Sequence, residues 1–169
     1  KGNEDEAKKL LGNSFSLLII LGLLTGVTGL IFKKPLLYLL GASSATFDYA
    51  NQYITIYLCG TIFVMSSLGL NSFINAQGFA RTGMLTVSIG AACNLILDPV
   101  FIFGMNMGVR GAALATIISQ ALSCIWVLSF LFGKKTFLKI KPENLRLHAK
   151  IILPCVALGS SLFIMQASE

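Results

Sequence analysis

Charged side chains are scarce, at 12% of 169 residues against roughly a quarter in an ordinary soluble domain. With 55% hydrophobic residues and a mean hydropathy of +0.79, this scarcity argues against a water-soluble globule and points to a membrane as the solvent. Histidine occurs once, as His148. The four cysteines, Cys59, Cys93, Cys124 and Cys155, form no CxxC pair and stand at no metal-ligand spacing from it, so they read as small packing residues. The alternation of a membrane β-barrel is missing. Also missing are an initiator Met and the tripartite pattern of a secretory signal, since the chain opens on the polar string "KGNEDEAKK". At the other end "IILPCVALGSSLFIMQASE" stops about one span's length into an apolar segment, so the chain is expected to be an excerpt with more protein on both sides.

What is present is a succession of apolar runs, each near the ~20 residues that carry a helix across a hydrocarbon core. Five spans are expected: Asn13 to Phe32, Tyr49 to Asn75, Thr82 to Phe103, Gly111 to Phe132, and Ile151 onward. Most connectors are short, which makes neighbouring helices antiparallel, and backbone groups in lipid must bond within their own helix. The expected fold class is therefore all-α, a polytopic transmembrane helical bundle.

Basic residues set an orientation. Lys1, Lys8, Lys9, Arg81, Lys134, Lys135, Lys139, Lys141, Arg146 and Lys150 fall on one side, and only Lys33, Lys34 and Arg110 on the other. The first side is expected to be cytoplasmic in a plasma-membrane protein. The net charge of +6 then implies anionic lipid headgroups as neighbours and no nucleic acid. The one long connector, "GKKTFLKIKPENLRLHAK", is basic and interrupted by Pro142. It is expected either to lie along the membrane surface, with Phe137, Leu138, Ile140, Leu145 and Leu147 as an imperfect apolar face, or to be a loop. Glycines inside the spans, among them Gly22 and Gly26 at GxxxG spacing, Gly60, Gly69, Gly90 and Gly159, suit close helix packing.

Against this apolar background "NLILDPVFIFG" carries an acid, Asp98, whose insertion at mid-membrane costs roughly 2.5 to 3.5 kcal/mol. Asn94 lies one turn before it on the same face. Pro99 supplies no N–H and crowds the carbonyl of Leu95, so a kink and a freed backbone oxygen are expected there. On the next span Thr116 is as far from Met107, the middle of the hairpin, as Asp98 is, which puts both at one depth. Gln120 extends the same stripe by a turn. Arg110 is a competing partner for Asp98, but it lies nearer the interface and is expected to snorkel. The Tyr49 to Asn75 span is wet, and as one straight helix it would align Tyr53 with Asn71 over roughly 27 Å. Tyr57 and Asn75 follow each by one turn, a polar stripe suited to a water-filled path; alternatively the tyrosines are interfacial and the amides knit helices together.

The block "NLILDPVFIFGMNMGVRGAALATIISQ", Asn94 to Gln120, supported by "KGNEDEAKKLLGNSF" and "YLLGASSATFDYANQYITIYLCG", resembles the multidrug and toxic compound extrusion (MATE) family of cation-coupled antiporters. The resemblance implies a twelve-helix, two-lobe transporter that rocks between inward- and outward-open states. This chain would hold spans three to seven: residues 1–132 in the N-terminal lobe, 133–150 as a basic cytoplasmic inter-lobe linker, and 151–169 as the start of the C-terminal lobe. It also implies a cation site at Asp98, Asn94 and Thr116 with Tyr53 as a neighbour, the family's span-one aspartate having no counterpart here. Span seven of some relatives carries a glutamate; Ser160, Ser161 and Gln166 are the nearest polar candidates.

The expected function is efflux of amphipathic, often cationic molecules in exchange for H⁺ or Na⁺, with no cofactor and no enzymatic step. Desolvation favours the neutral acid, so a membrane carboxyl can take up and release a proton as its hydration changes. Carboxylate, amide and hydroxyl oxygens are also hard ligands for Na⁺. Tyr57, Asn71, Gln120 and Gln166 are expected to line the substrate cavity, Pro99 to supply the bend, and the remaining helices of the same protein to pack alongside. Three alternatives stand. A lipid-linked oligosaccharide flippase of related architecture would need a basic cavity, and the expected spans hold no Lys or Arg. A membrane-embedded hydrolase would need paired Asp, Ser/Lys or a His-rich metal set. A packing-only scaffold would use Asp98 for assembly alone.

Overall fold

The computed structural model describes residues 2–133, 136–140, 142–145, 147, 148, 151–153 and 156. Most of the segment expected as a fifth span, including Cys155, Gly159, Ser160, Ser161 and Gln166, lies outside the described residues, as do Lys1, Lys134, Lys135, Lys141, Arg146 and Lys150.

The elements are α1 (Gly2–Leu39), α2 (Phe47–Cys59), α3 (Thr61–Ala76), α4 (Ala80–Pro99), which continues as a π turn over Val100–Gly104, α5 (Val109–Phe132), and a short 3₁₀ turn at Pro142–Leu145. No strand occurs among the described residues. Glu4–Leu39, Ala80–Gly104 and Val109–Phe132 are each long and apolar enough to cross a membrane, and α2 with α3 makes a fourth, broken crossing. The all-helical membrane bundle read from composition is the fold observed.

Helix α1 outlasts its expected end at Phe32, running through Lys33, Lys34 and Pro35 to a cap at Gly41. There φ of +92° lets Ala42 N–H reach the carbonyl of Leu37 at 3.0 Å. The two lysines thus belong to a helix and not to the connector in which the expected span end at Phe32 placed them. The physical reason is the long alkyl stem of lysine, which lets a charge ride on a helix while its ammonium reaches a polar partner. For Lys33 that partner is Thr55 Oγ1 on α2, 3.0 Å away.

A second correction concerns Tyr49 to Asn75. The crossing is not one straight helix, because α2 and α3 meet at Gly60 with a bend of 57°. Gly60 permits this by lacking a side chain: a Cβ there would stand 2.5 Å from Ile117 Cγ1 on α5. The alignment of Tyr53 with Asn71 along one axis is lost, and α3 turns its own polar face toward α4 and α5.

At Pro99 the expected disturbance takes the form of a widened helix. Pro99 keeps helical angles of −63° and −33°, and the chain passes directly into the π turn, where Met105 N–H donates to the carbonyl of Val100 at 2.9 Å, five residues back. The hairpin that follows needs positive φ at Asn106 and Gly108 before α5 begins.

Helices α3, α4 and α5 pack on one another, and α1 lies against α2 and α3. Leu23, Leu24, Val27, Ile31 and Phe32 of α1 remain between 51% and 67% exposed, the apolar outer surface a lipid phase covers. At one end Leu11, Leu70, Ile74, Val127 and Leu131 form a core that takes in Ile140 of the linker. Gln77 Oε1 accepts from Thr136 Oγ1 at 2.7 Å and from the N–H groups of Phe137 and Leu138 at 3.1 and 3.0 Å. Asn13 Oδ1 accepts from His148 N–H at 2.7 Å, and Ser16 donates to the carbonyl of Leu145 at 2.8 Å. The described part of the linker is therefore bound to the helix ends, with Ile140 buried, Leu138 and Leu145 packed on the core, and Phe137 and Leu147 outward.

If Gly60 sets the bend, Gly60→Val in the natural full-length protein will cost about 1 to 3 kcal/mol through overpacking on Ile117. Thermal unfolding in detergent should show a lowered Tm that Ile117→Ala partly restores; an unchanged Tm for Gly60→Val would contradict the packing.

Candidate ion and substrate site

Helices α4 and α5 are held close by small residues and cross-helix bonds. A Cβ on Gly90 would lie 2.6 Å from Ser123 Oγ, and one on Gly111 would lie 2.8 Å from the backbone of Phe101. Ser123 Oγ donates to the carbonyl of Thr86 at 3.1 Å. Close approach brings Asp98, Asn94 and Thr116 together, as the hairpin depth argument expects. Asn94 Nδ2 stands 3.5 Å from Asp98 Oδ1 and 3.5 Å from Thr116 Oγ1, bridging the acid on its own helix to the hydroxyl on the next. Thr116 directs its proton to the carbonyl of Ala112 at 2.9 Å, which leaves its lone pairs facing the site.

Both bridging contacts sit at the long edge of hydrogen bonding and are correspondingly weak. Asp98, half-buried, has no ion pair among the described residues. Arg110 is engaged elsewhere, donating from Nε to Gln52 Oε1 at 3.1 Å. An acid with only neutral, loosely bound neighbours can exchange its proton or cation without first breaking a strong pair.

Beside this group α3, α4 and α5 enclose a cavity of about 250 Å³. Asn71, Asn94, Thr116 and Gln120, singled out from sequence, all line it, together with Ser67, Thr86, Ser119 and Ser123. Its wall carries no charged residue. Asn71 Nδ2 is tied to the carbonyl of Gly83 at 3.3 Å, whereas Asn71 Oδ1 and Ser119 Oγ are buried with no hydrogen-bond partner among the described residues. Tyr53 and Tyr57 are not brought to this wall; on α2 they stack on each other with ring centroids 6.0 Å apart, both half-buried. Ser119 and Ser123 were absent from the sequence-based list, although their signal was present: Thr116, Ser119, Gln120 and Ser123 fall at the i, i+3, i+4, i+7 spacing of one helical face. No cluster of His, Cys, Asp and Glu able to hold a metal occurs among the described residues.

Residues 1–100 match the MatE family model. The chain belongs to the MATE family. Among curated relatives, the multidrug export protein MepA of Staphylococcus haemolyticus (strain JCSC1435) is 32% identical over 164 residues, 96% of this chain and 35% of the relative. MepA of Staphylococcus aureus (strain MRSA252) is 26% identical over 166 residues, 97% of this chain and 37% of the relative. The MATE chain thus spans 35% to 37% of the length of these relatives. Among solved structures, an outward-facing multidrug resistance MATE family transporter of the MOP superfamily superposes with a TM-score of 0.82 at 27% identity, over 89% of this chain and 34% of that one. An inward-facing transporter of the same description shares the fold, with a TM-score of 0.75 at 24% identity over 87% and 39% of the two chains.

The two serines separate stability from function. Ser123→Ala removes a satisfied buried bond and should cost about 1 kcal/mol, while Ser119→Ala removes an unpartnered hydroxyl and should be neutral or slightly stabilising. Unfolding of the two variants of the full-length protein in detergent checks this; an equal loss in both would mean that Ser119 is bonded within the bundle.

Proposed function

We propose that this MATE chain forms part of a plasma-membrane antiporter that expels amphipathic, often cationic compounds in exchange for H⁺ or Na⁺. The observation that carries the reading is the meeting of Asp98, Asn94 and Thr116 across α4 and α5, beside a polar cavity and away from any arginine. It is supported by family membership and by relatives named as multidrug export proteins. The function is transport and not catalysis.

The exchange follows from the chemistry of the three side chains. Deprotonated, Asp98 presents two oxygens. A half-turn of the Asn94 amide would place its carbonyl oxygen where its nitrogen now sits, and Thr116 would add a third kind of oxygen, a hard donor set for Na⁺. Protonated, Asp98 would accept the Asn94 amide as it stands and carry no charge into the low-dielectric cavity. Neutralising the acid, by either ion, weakens the attraction of the cavity for a cationic compound, and loss of the ion restores it. Coupling is thus competition for one negative charge. The volume of about 250 Å³ between α3, α4 and α5 lies below the roughly 300 to 1,000 Å³ of a small-molecule site, so helices outside this chain complete the drug cavity, with Gln166 and the span from Ile151 among the candidates. The linker, bound by Gln77 and Asn13 at one bundle end, is the cytoplasmic connection between lobes that rock to alternate access.

The wall beside Asp98 offers no cation for the diphosphate of a lipid-linked oligosaccharide, so this cavity suits a cationic compound better.

The test is efflux by the full-length protein in proteoliposomes under proton and sodium gradients imposed separately. Asp98→Asn should reduce gradient-driven efflux to the passive leak without lowering the amount of folded protein, and Asn94→Ala or Thr116→Ala should weaken coupling by about fivefold, the worth of one neutral ligand. Efflux by Asp98→Asn at the wild-type rate would overturn the assignment.

A further inference from the structure

At the end of the bundle away from the linker core lies a second cavity, of about 380 Å³, walled by Lys33 of α1, Asn51, Gln52, Thr55 and Ile56 of α2, and Arg110 of α5. Two cations share this wall and no acid is part of it. Asp48 is the nearest acid along α2; it is exposed and makes no ion pair with either cation among the described residues. Lys33 gives one N–H to Thr55 Oγ1 at 3.0 Å and keeps two, while Thr55 spends its own proton on the carbonyl of Asn51 at 2.6 Å. Arg110 uses Nε on Gln52 at 3.1 Å, which orients the guanidinium and leaves its four terminal N–H donors without a partner among the described residues. Asn51 Oδ1 is buried in the same place with no hydrogen-bond partner among the described residues.

We infer that Lys33 and Arg110 form a binding site for a phosphate-type oxyanion that carries a neighbouring hydroxyl. Two cations without an acid raise each other's energy, and one anion between them relieves both. An oriented guanidinium offers the paired N–H geometry that phosphate oxygens take, and Lys33 adds a point charge. Asn51 Oδ1, an acceptor, has nothing to give an oxyanion but would accept a hydrogen bond from a hydroxyl on the group attached to it. Phe32 and Leu36, 60% and 40% exposed beside Lys33, provide an apolar surface where an acyl chain can lie. A phosphatidylglycerol headgroup and free glycerol 3-phosphate share this chemistry. The site is separate from the Asp98 group and does not depend on what that group exchanges.

Lys34, exposed and adjacent in sequence but outside the wall, is a built-in control. In the natural full-length protein in detergent, acetylation of Lys33 and Lys34 by acetic anhydride is followed by mass spectrometry with phosphatidylglycerol, phosphatidylcholine or glycerol 3-phosphate added. Phosphatidylglycerol should slow Lys33 about tenfold relative to phosphatidylcholine and leave Lys34 unchanged. Equal protection by glycerol 3-phosphate would assign a free oxyanion, and protection by the lipid alone a headgroup; both support the site. Protection of Lys33 by neither phosphate, or equally by all three additives, overturns it, and this readout needs no variant to fold. Where Lys33→Gln/Arg110→Gln is obtained folded, it should bind radiolabelled phosphatidylglycerol about tenfold more weakly, and wild-type binding by that variant would equally refute the inference.

Discussion

A carboxyl group inside an apolar layer needs polar partners, and the choice of partner decides what the protein can do. An arginine would hold Asp98 permanently. Here the partner is the amide of Asn94 at 3.5 Å, which also stands 3.5 Å from the Thr116 hydroxyl and so links the acid to the next helix without locking it. That weak embrace exists only because α4 and α5 approach closely, and they do so because Gly90 and Gly111 leave room for Ser123 and for the backbone at Phe101. Arg110, the one cation on α5, is kept away by Gln52. The glycines, the serine clasp and the Arg110–Gln52 bond therefore support the arrangement proposed as the exchange site.

The same close packing creates unsatisfied groups. The break at Gly60 turns α3 so that Asn71 faces α4 and α5, and Ser119 faces it across the cavity. Each keeps a buried oxygen without a partner in the bundle, a state that costs on the order of 1 to 3 kcal/mol in a sealed core. In a cavity that admits water or solute the cost falls, because the partner arrives from outside the protein. Orphan oxygens and a neutral wall belong together: they hydrate readily and hold no ion of their own, so the electrostatic response of the cavity is left to Asp98.

Much of this was legible from residue order. The helical membrane class follows from apolar run lengths, and the common depth of Asp98 and Thr116, bridged by Asn94, follows from equal spacing about Met107. Three features were not legible, each for a physical reason. The bend at Gly60 depends on Ile117, more than fifty residues away, and an apolar run reads as continuous whether or not a neighbour indents it. The extension of α1 to Leu39 was hidden because Lys33, Lys34 and Pro35 look like a terminus, whereas Thr55 makes a helical Lys33 affordable. The attachment of the linker depends on Gln77 and Asn13 meeting distant backbone N–H groups, and linear spacing carries no trace of such partners.

The proposed competition between ion and substrate for the charge on Asp98 is most directly measured as ion release on substrate binding. When a cationic compound binds the full-length protein in weakly buffered detergent solution, wild-type protein should expel a proton or a sodium ion, detected by a pH dye or a sodium electrode, and Asp98→Asn should expel none. Equal release from the two proteins would show that the exchanged ion sits elsewhere.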